Sequence, residues 1–198
     1  MLYRKPVSLR QKYANSLHLT DRHLPVFFEE LRKRPYLDNA LVIITGDHGV
    51  EANEVGFYEE SFRTPLLMIR EGRLRPGRIG GSVHSQMDIA PTILDLLRLD
   101  VGLHPFQGAS VFGGDPHRPA IFIQSYAGVY VGMAKPAYKY ARRLSTGEEF
   151  LFCLKDDPGE ERNLAATGQA DEPLAFFRGC LPYVFLNQQL IERNRIWK

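Results

Sequence analysis

Two uninterrupted runs of apolar residues predict the strands in the first part of this chain. Residues 40–44 read Ala-Leu-Val-Ile-Ile and end at a Gly-Asp-His-Gly segment, which predicts a strand buried on both faces inside a parallel sheet. Residues 64–69 begin with Thr-Pro and predict a second buried strand, because a proline at the first position removes an amide donor where the loss matters least. Together the two runs predict an α/β arrangement.

Apolar side chains at helical spacing predict three helices. The first covers about residues 8–34, and Pro25 should kink it or divide it, since proline lacks the amide donor that a helix needs. The second opens near Asp88, which is a plausible N-cap and is therefore expected to be structural. The third is expected in the tail, over residues 181–197, with Cys180 at its start.

Short, closely spaced strands follow residue 118. Turn residues separate them, which is the pattern of an antiparallel sheet in an α+β subdomain. We therefore divide the chain into an α/β part, residues 1–117, and a small antiparallel-sheet subdomain with a C-terminal helix, residues 118–198. The predicted strands are 120–123, 128–133, 138–140 and 149–154.

The composition is that of a globular protein. With 198 residues, the chain is long enough for one sizeable core, or for one core and a small appendage. A formal net charge of +2 gives no indication of a nucleic-acid partner, which would normally show a clustered basic face. Two cysteines do not make a disulfide framework, and Cys153 is expected to be a buried strand residue.

No apolar run reaches the length of a membrane span, so we expect no membrane span in this chain. The first residues do not form a secretory signal. This is expected either for a cytoplasmic protein or for one whose true N-terminus is missing.

The segment 45–49, Thr-Gly-Asp-His-Gly, carries the candidate chemistry. It delivers Asp47 and His48 at the carboxyl end of the predicted strand, where ligands and catalytic groups collect in open α/β sheets. A hard carboxylate oxygen beside a borderline imidazole nitrogen suits a divalent metal ion. The alternative is a polar loop in which Asp47 accepts hydrogen bonds from nearby backbone amides. Two ligands do not make a metal site, so the local sequence leaves both interpretations open.

Five separate stretches along the chain carry a family resemblance. They are residues 13–21, 38–49, 58–67, 85–92 and 149–164. In this order they resemble stretches in the C-terminal half of the sulfatase family, in the alkaline-phosphatase-like superfamily: the helix before the family's metal-binding strand, the second metal-binding motif, the loop and strand after it, the next helix start, and the closing strand and turn. The resemblance implies part of an alkaline-phosphatase-like sheet with flanking helices.

The resemblance also implies a reaction. Family members hydrolyse sulfate esters, or in related branches cleave or transfer phosphate-ester groups such as phosphoglycerol, through a covalent intermediate on a metal-activated nucleophile. Asp47 and His48 would be two ligands of a divalent ion, Ca²⁺, Mg²⁺ or Mn²⁺, which neutralises oxygen charge as the ester breaks. Since His48 must be neutral to bind a metal, acidification should weaken binding. The family's usual location makes the periplasm or the extracellular space the expected one.

Departures from the family pattern limit what this chain is expected to do alone. The nucleophile motif Cys/Ser-x-Pro-x-Arg is absent, since residues 180–184 read Cys-Leu-Pro-Tyr-Val. Residues 50–57 hold neither the lysine nor the histidine with which many sulfatases contact the ester oxygens, so His84 and Arg63 are the candidates for substrate binding. We expect the nucleophile and the other metal ligands in a missing N-terminal half of the domain.

Three functions remain. The first is a metal-dependent sulfuric ester hydrolase, represented by a C-terminal portion that lacks the nucleophile and is inactive alone. The second is a phosphoglycerol or phosphoethanolamine transferase of the same superfamily, which residues 13–18 favour, whereas the closing turn at residues 156–160 favours sulfatases. The third is a degenerate, non-catalytic domain that binds a partner or acts as a scaffold.

Overall fold

The computed structural model describes residues 5, 8–49, 56–100, 102, 106–113, 115, 117–125 and 128–192. The predicted mixed α/β class is confirmed, since the described residues combine α-helices with two antiparallel sheets. In chain order the elements are α1 (Leu9–Arg32), β1 (Val42–Thr45), α2 (Glu59–Phe62), β2 (Leu66–Ile69), a 3-10 turn (Gln86–Asp88), α3 (Ile89–Leu97), β3 (Ala120–Gln124), β4 (Tyr130–Ala134), β5 (Tyr138–Arg143), β6 (Glu149–Cys153) and α4 (Asp171–Glu192).

The chain packs into two units. The first unit is Met1–Glu54 with Glu59–Gly77, and the second unit is Val55–Tyr58 with Arg78–Lys198. The functional division that the sequence places at residue 117 stays a prediction.

Helix α1 begins with a reciprocal cap. The Ser8 hydroxyl accepts a hydrogen bond from the Gln11 amide at 3.2 Å, and the Gln11 side chain accepts one from the Ser8 amide at 3.3 Å. These bonds satisfy amides that the start of a helix leaves without partners. The helix then continues through Pro25 to Arg32 as one element, so it is not divided there. No helix among the described residues is long and apolar enough to cross a membrane.

Strands β1 and β2 form a two-stranded antiparallel sheet. Val42 pairs with Ile69 and Thr45 pairs with Leu66, so in the described part of the chain the neighbour of β1 is antiparallel and not parallel as expected. Both strands are partly exposed, and neither is buried on both faces. An apolar run marks a strand, but the direction of the neighbouring strand depends on chain connections that the run does not encode.

Strands β3 to β6 form an antiparallel meander in chain order, which confirms the predicted antiparallel sheet. The core of the second unit joins apolar side chains of this sheet to α4, and Phe177 stacks on Tyr140 with ring centroids 5.6 Å apart. Burial of such side chains is the main favourable contribution to folding. The buried members are Val131, Met133, Tyr140, Leu151, Ala170, Leu174, Phe177 and Leu181.

Helix α4 begins at Asp171, not at residue 181 as predicted, and it contains Pro182. Proline is common in the first turn of a helix, which made residues 181 and 182 look like a start. The actual first turn carries Asp171 and Glu172, whose charges suit the positive end of the helix dipole. Cys180 therefore lies inside the helix, and burial raises the pKa of its thiol. Residues 193–197 of the predicted tail helix lie outside the described residues.

Asp88 is fully buried and connects the start of α3 to the segment before β3. Its carboxylate accepts hydrogen bonds from the Ser85 amide and the Ala109 amide, both at 2.9 Å, and from the Arg118 guanidinium. Asp88 precedes α3 as predicted, but its carboxylate reaches back to Ser85 instead of capping the first turn of α3. These contacts are structural, as expected.

A buried ion pair joins β5 to the turn after β6. Nζ of Lys139 and Oε1 of Glu160 are 2.8 Å apart, and neither side chain is more than 2% exposed. Glu160 has a φ of 55°, in the left-handed region that a residue other than glycine rarely adopts. Burial of an unpaired charge is costly, so each residue of this pair offsets the cost of burying the other.

Glu149 in β6 binds two groups of the second unit. Its carboxylate accepts hydrogen bonds from the Tyr140 hydroxyl at 2.6 Å and from the Arg178 guanidinium at 3.1 Å and 2.5 Å. The hydrogen bond from Arg178 is the main reason that the pKa of Glu149 lies below its ordinary value. Ionised Glu149 therefore stabilises the folded chain.

We expect the stabilisation by Glu149 to be lost in acid. A glutamate in an unfolded chain titrates near pH ~4.3, and the folded-state pKa of Glu149 is lower, so its contribution is fully present above that pH and disappears as the pH falls through the folded-state pKa. Glu149→Gln should lower the free energy of unfolding by about 1–3 kcal/mol at neutral pH, and by progressively less in acid, as measured by urea unfolding. The exposed Glu161→Gln is the control and should change it by less than about 0.5 kcal/mol. An effect of Glu149→Gln that is the same at every pH would contradict this account.

Candidate metal-binding site

The turn at residues 46–49 places Asp47 and His48 directly after β1, in the first unit. Both side chains are largely exposed, Asp47 at 91% and His48 at 74%. Oδ1 of Asp47 accepts a hydrogen bond from the His48 amide at 2.9 Å, and Nε2 of His48 lies 3.8 Å from the same oxygen. The sequence therefore correctly places both side chains at the end of the strand. The hydrogen bond from the His48 amide to Asp47 is also the kind of contact that the polar-loop alternative predicts.

The backbone determines which nitrogen of His48 can bind a metal. Nδ1 of His48 lies 2.8 Å from the carbonyl oxygen of Gly49. Because a carbonyl only accepts, Nδ1 must be the donor, and the neutral ring then carries its lone pair on Nε2. Histidines that bind metals usually hold their second nitrogen in this way, by donating to a carbonyl or a carboxylate.

Gly49 connects this turn to α2. Its amide donates to the Ser61 carbonyl at 2.9 Å, and a Cβ at this position would overlap the Glu60 carbonyl. Glycine is therefore required here by close approach of two backbone segments. Sequence reasoning missed this contact, although residues 58–67 and 38–49 were both part of the resemblance.

A cation fits between the two side chains as far as the described residues define the site. The 3.8 Å between Oδ1 of Asp47 and Nε2 of His48 is shorter than the sum of two metal–ligand bonds, about 4–5 Å for the divalent ions in question. The described residues contain no group of three or more His, Cys, Asp or Glu side chains that could hold a metal ion. The assignment of Asp47 and His48 as metal ligands therefore stays a prediction, and these two side chains alone would not complete a coordination sphere.

The two candidates for substrate binding belong to different units. Arg63 is exposed directly after α2 in the first unit, where its amide donates to the Glu59 carbonyl at 2.8 Å. His84 lies in the second unit with Nδ1 3.7 Å from Oδ2 of Asp88, and among the described residues its buried Nε2 has no hydrogen-bond partner. A role for either in substrate binding stays a prediction. Residues 50–55, where many sulfatases carry a lysine or histidine, lie outside the described residues.

The fold of this chain is alkaline-phosphatase-like. A solved 2-O GAG sulfatase superposes on this chain with a TM-score of 0.71 at 22% identity, covering 93% of this chain and 43% of that one. The sequence model of the sulfatase family matches residues 3–99. The predicted relationship to the sulfatase family is therefore confirmed, and these residues carry it.

Curated relatives extend the similarity beyond the matched residues. The Δ4,5-hexuronate-2-O-sulfatase of Bacteroides thetaiotaomicron is 24% identical over 90% of this chain and 41% of its own length. Lipoteichoic acid synthase 2 of Bacillus subtilis is 28% identical over 58% of this chain and 19% of its own length. The chain thus spans less than half the length of each of these relatives.

We expect Gly49→Ala to destabilise the chain by about 1–3 kcal/mol, because the added methyl group overlaps the Glu60 carbonyl and the backbone must move. Urea unfolding measures the loss. Gly77→Ala is the matched control in the same unit, since a Cβ at Gly77 meets nothing within 4 Å. A Gly49→Ala variant as stable as Gly77→Ala would show that the turn is not tied to α2 as described.

Proposed function

We propose that this chain carries part of the metal site of a metal-dependent sulfuric ester hydrolase, with Asp47 and His48 as two of the ligands. The observation that carries the proposal is the geometry of this pair. Oδ1 and Nε2 lie 3.8 Å apart, on exposed side chains, and the Gly49 carbonyl holds the imidazole with its lone pair on Nε2.

The two side chains have complementary tasks. Asp47 supplies a hard, charged oxygen, and the His48 amide holds that carboxylate by donating to Oδ1. His48 supplies a neutral nitrogen whose ring cannot turn without losing its bond to Gly49. When bound, a divalent cation such as Ca²⁺, Mg²⁺ or Mn²⁺ supplies positive charge against the oxygens of the ester.

The remaining ligands and the nucleophile are proposed to come from a preceding part of the same catalytic domain. The Cys/Ser-x-Pro-x-Arg motif does not occur in the 198 residues, and the chain corresponds to 41% of the hexuronate sulfatase. Two features support the proposal that another part of the domain packs against β1 and α1. Among the described strands, β1 pairs on one edge only, and α1 has no buried residue. The exposed apolar side chains of α1 are Leu9, Tyr13, Leu17, Leu19, Val26 and Phe27.

The proposed substrate class is a sulfate ester, because the family match and the hexuronate sulfatase point to this class. By the same relationship we propose that the intact protein works in the periplasm or outside the cell. The second candidate is a phosphoglycerol or phosphoethanolamine transferase, and the similarity to lipoteichoic acid synthase 2 favours it. Release of sulfate from a chromogenic ester by the intact protein supports the first, and transfer of phosphoglycerol from a lipid donor supports the second.

Metal binding is testable on this chain alone with Mn²⁺ as a paramagnetic probe. We expect selective broadening of the imidazole signals of His48 in the NMR spectrum, because a weak two-ligand site still brings the ion next to the ring. Asp47→Asn should weaken this broadening severalfold, whereas the control Asp38→Asn should leave it unchanged. Broadening that is equal for His48 and His23 would contradict the assignment and favour a non-catalytic domain.

In the intact protein, Asp47→Asn and His48→Ala should each lower turnover of a sulfate ester by more than about a hundredfold, with the far-UV circular dichroism unchanged. Wild-type turnover in both variants would rule out the metal assignment.

The 198-residue chain alone should not hydrolyse p-nitrophenyl sulfate above background. Robust hydrolysis would show that it contains a nucleophile after all.

A further inference from the structure

Basic side chains collect at one end of the first unit. Residues 32–34 lie at the end of α1 and residues 70–75 follow β2. These two segments hold six of the 25 Lys and Arg residues of the chain, but only one of its 23 Asp and Glu residues. Nη2 of Arg32 lies 3.0 Å from Oε1 of Glu71, so the two segments are adjacent. We call residues 32–34 and 70–75 the basic cluster.

The cations of the basic cluster outnumber the carboxylates beside them. Glu71 pairs with Arg32, and Lys33 pairs with Glu30 in the last turn of α1. Three further arginines are exposed, and none of them forms an ion pair with another described residue: Arg34, Arg73 and Arg75. Exposed positive charges that are grouped in this way create a potential that attracts anions.

The basic cluster and the candidate metal ligands lie at opposite ends of the two-stranded sheet. The first residue of β1 pairs with Ile69, directly before Arg70, whereas its last residue pairs with Leu66 and continues into the turn at residues 46–49. The length of β1 alone separates the two ends by about 10 Å. An anion on the basic cluster therefore does not occupy the proposed metal site.

The end that carries the candidate metal ligands is rich in carboxylates. Asp47 is exposed in the turn, and Glu59 and Glu60 form the first turn of α2, which the hydrogen bond from Gly49 ties to the same turn. Arg63 is the only Lys or Arg between residues 35 and 69. A negatively charged surface attracts one end of the sheet and repels the other, so it would hold the first unit in one orientation.

An exposed aromatic ring stands beside the cations. Tyr36 is 58% exposed, and Cζ of Arg34 lies 6.0 Å from the centroid of its ring. Tyrosine suits the headgroup region of a membrane because its ring is apolar and its hydroxyl stays hydrated. A group of about four to eight Lys and Arg residues is typical of surfaces that bind anionic lipids. Because the cations are spread over two segments, many separate headgroups match the basic cluster better than one small anion.

We propose that the basic cluster binds the anionic phospholipid headgroups of a membrane surface and orients the first unit with the turn of Asp47 and His48 away from the bilayer. The inference goes beyond the proposed function, since this peripheral contact requires neither a metal ion nor turnover. It leaves the candidate metal ligands facing the solution.

Binding is measured by flotation of the 198-residue chain with lipid vesicles in EDTA. The chain should bind vesicles of phosphatidylcholine that contain about 30% phosphatidylglycerol, and it should not bind vesicles of phosphatidylcholine alone. An increase of NaCl from about 50 mM to about 500 mM should weaken binding at least tenfold, because salt screens exposed charges. Equal binding to both kinds of vesicle would overturn the proposal, as would binding to RNA without binding to the anionic vesicles.

Charge-removing variants locate the contact. Arg73→Gln should weaken binding to the anionic vesicles about fivefold, and Arg73→Gln combined with Arg75→Gln about thirtyfold, since each basic side chain contributes separately at the surface. The matched control is Arg63→Gln, which removes one exposed arginine at the other end of the same sheet and should leave the affinity unchanged. An equal loss in Arg63→Gln and Arg73→Gln would overturn the placement. Asp47→Asn should also leave the affinity unchanged, which separates this test from the metal site.

The orientation is tested with bicelles of the same lipids that carry a spin label on the headgroup. The label should broaden the backbone amide signals of residues 73–75 much more than that of His48, because broadening falls steeply with distance. Broadening that is equal at the two places, or stronger at His48, would overturn the proposed orientation.

Discussion

The backbone of Gly49 uses both of its polar groups to hold the turn on which the proposed chemistry depends. Its amide donates to the Ser61 carbonyl, and its carbonyl accepts from Nδ1 of His48. The first bond ties the turn to α2, and the second determines how the imidazole is held. The direction in which Nε2 points is therefore determined by the main chain at Gly49, a position that has no room for a side chain.

The second unit combines an apolar core with pairs of opposite charges in which at least one member is buried. Phe177 and Tyr140 form the contact between α4 and the sheet, while Asp88 meets Arg118 and Lys139 meets Glu160. Each charge loses water on burial and regains interactions from its partner, which is why such groups occur together.

The sequence predicted those features that depend on local pattern. The strands of the meander were found because turn residues separate short apolar runs, and the end of β1 just before Asp47 and His48 was found because a strand cannot continue into Gly-Asp-His-Gly. The antiparallel partner of β1 was not found, because a run of apolar residues carries no information on the direction of its neighbour. The true start of α4 was missed because proline is common in the first turn of a helix, whereas Pro182 lies inside this one.

The sequence also did not predict contacts between charged residues that are far apart in the chain. Asp88 was identified as a structural residue near a helix start, but nothing local points to Arg118, thirty positions further on. Lys139 stands between two tyrosines in a predicted strand, and nothing local points to its partner Glu160 in the turn after β6. Such contacts follow from the folded topology, which the local pattern does not encode.

The Lys139–Glu160 pair has a consequence for how this chain can change over evolutionary time. Loss of either side chain alone would leave the other charge buried and unpaired, at a cost of about 3–5 kcal/mol, which is a large part of the stability of a small domain. A replacement of both residues by apolar ones of similar size carries no such penalty. A change at either codon alone should therefore be disfavoured, whereas a change at both should be tolerated.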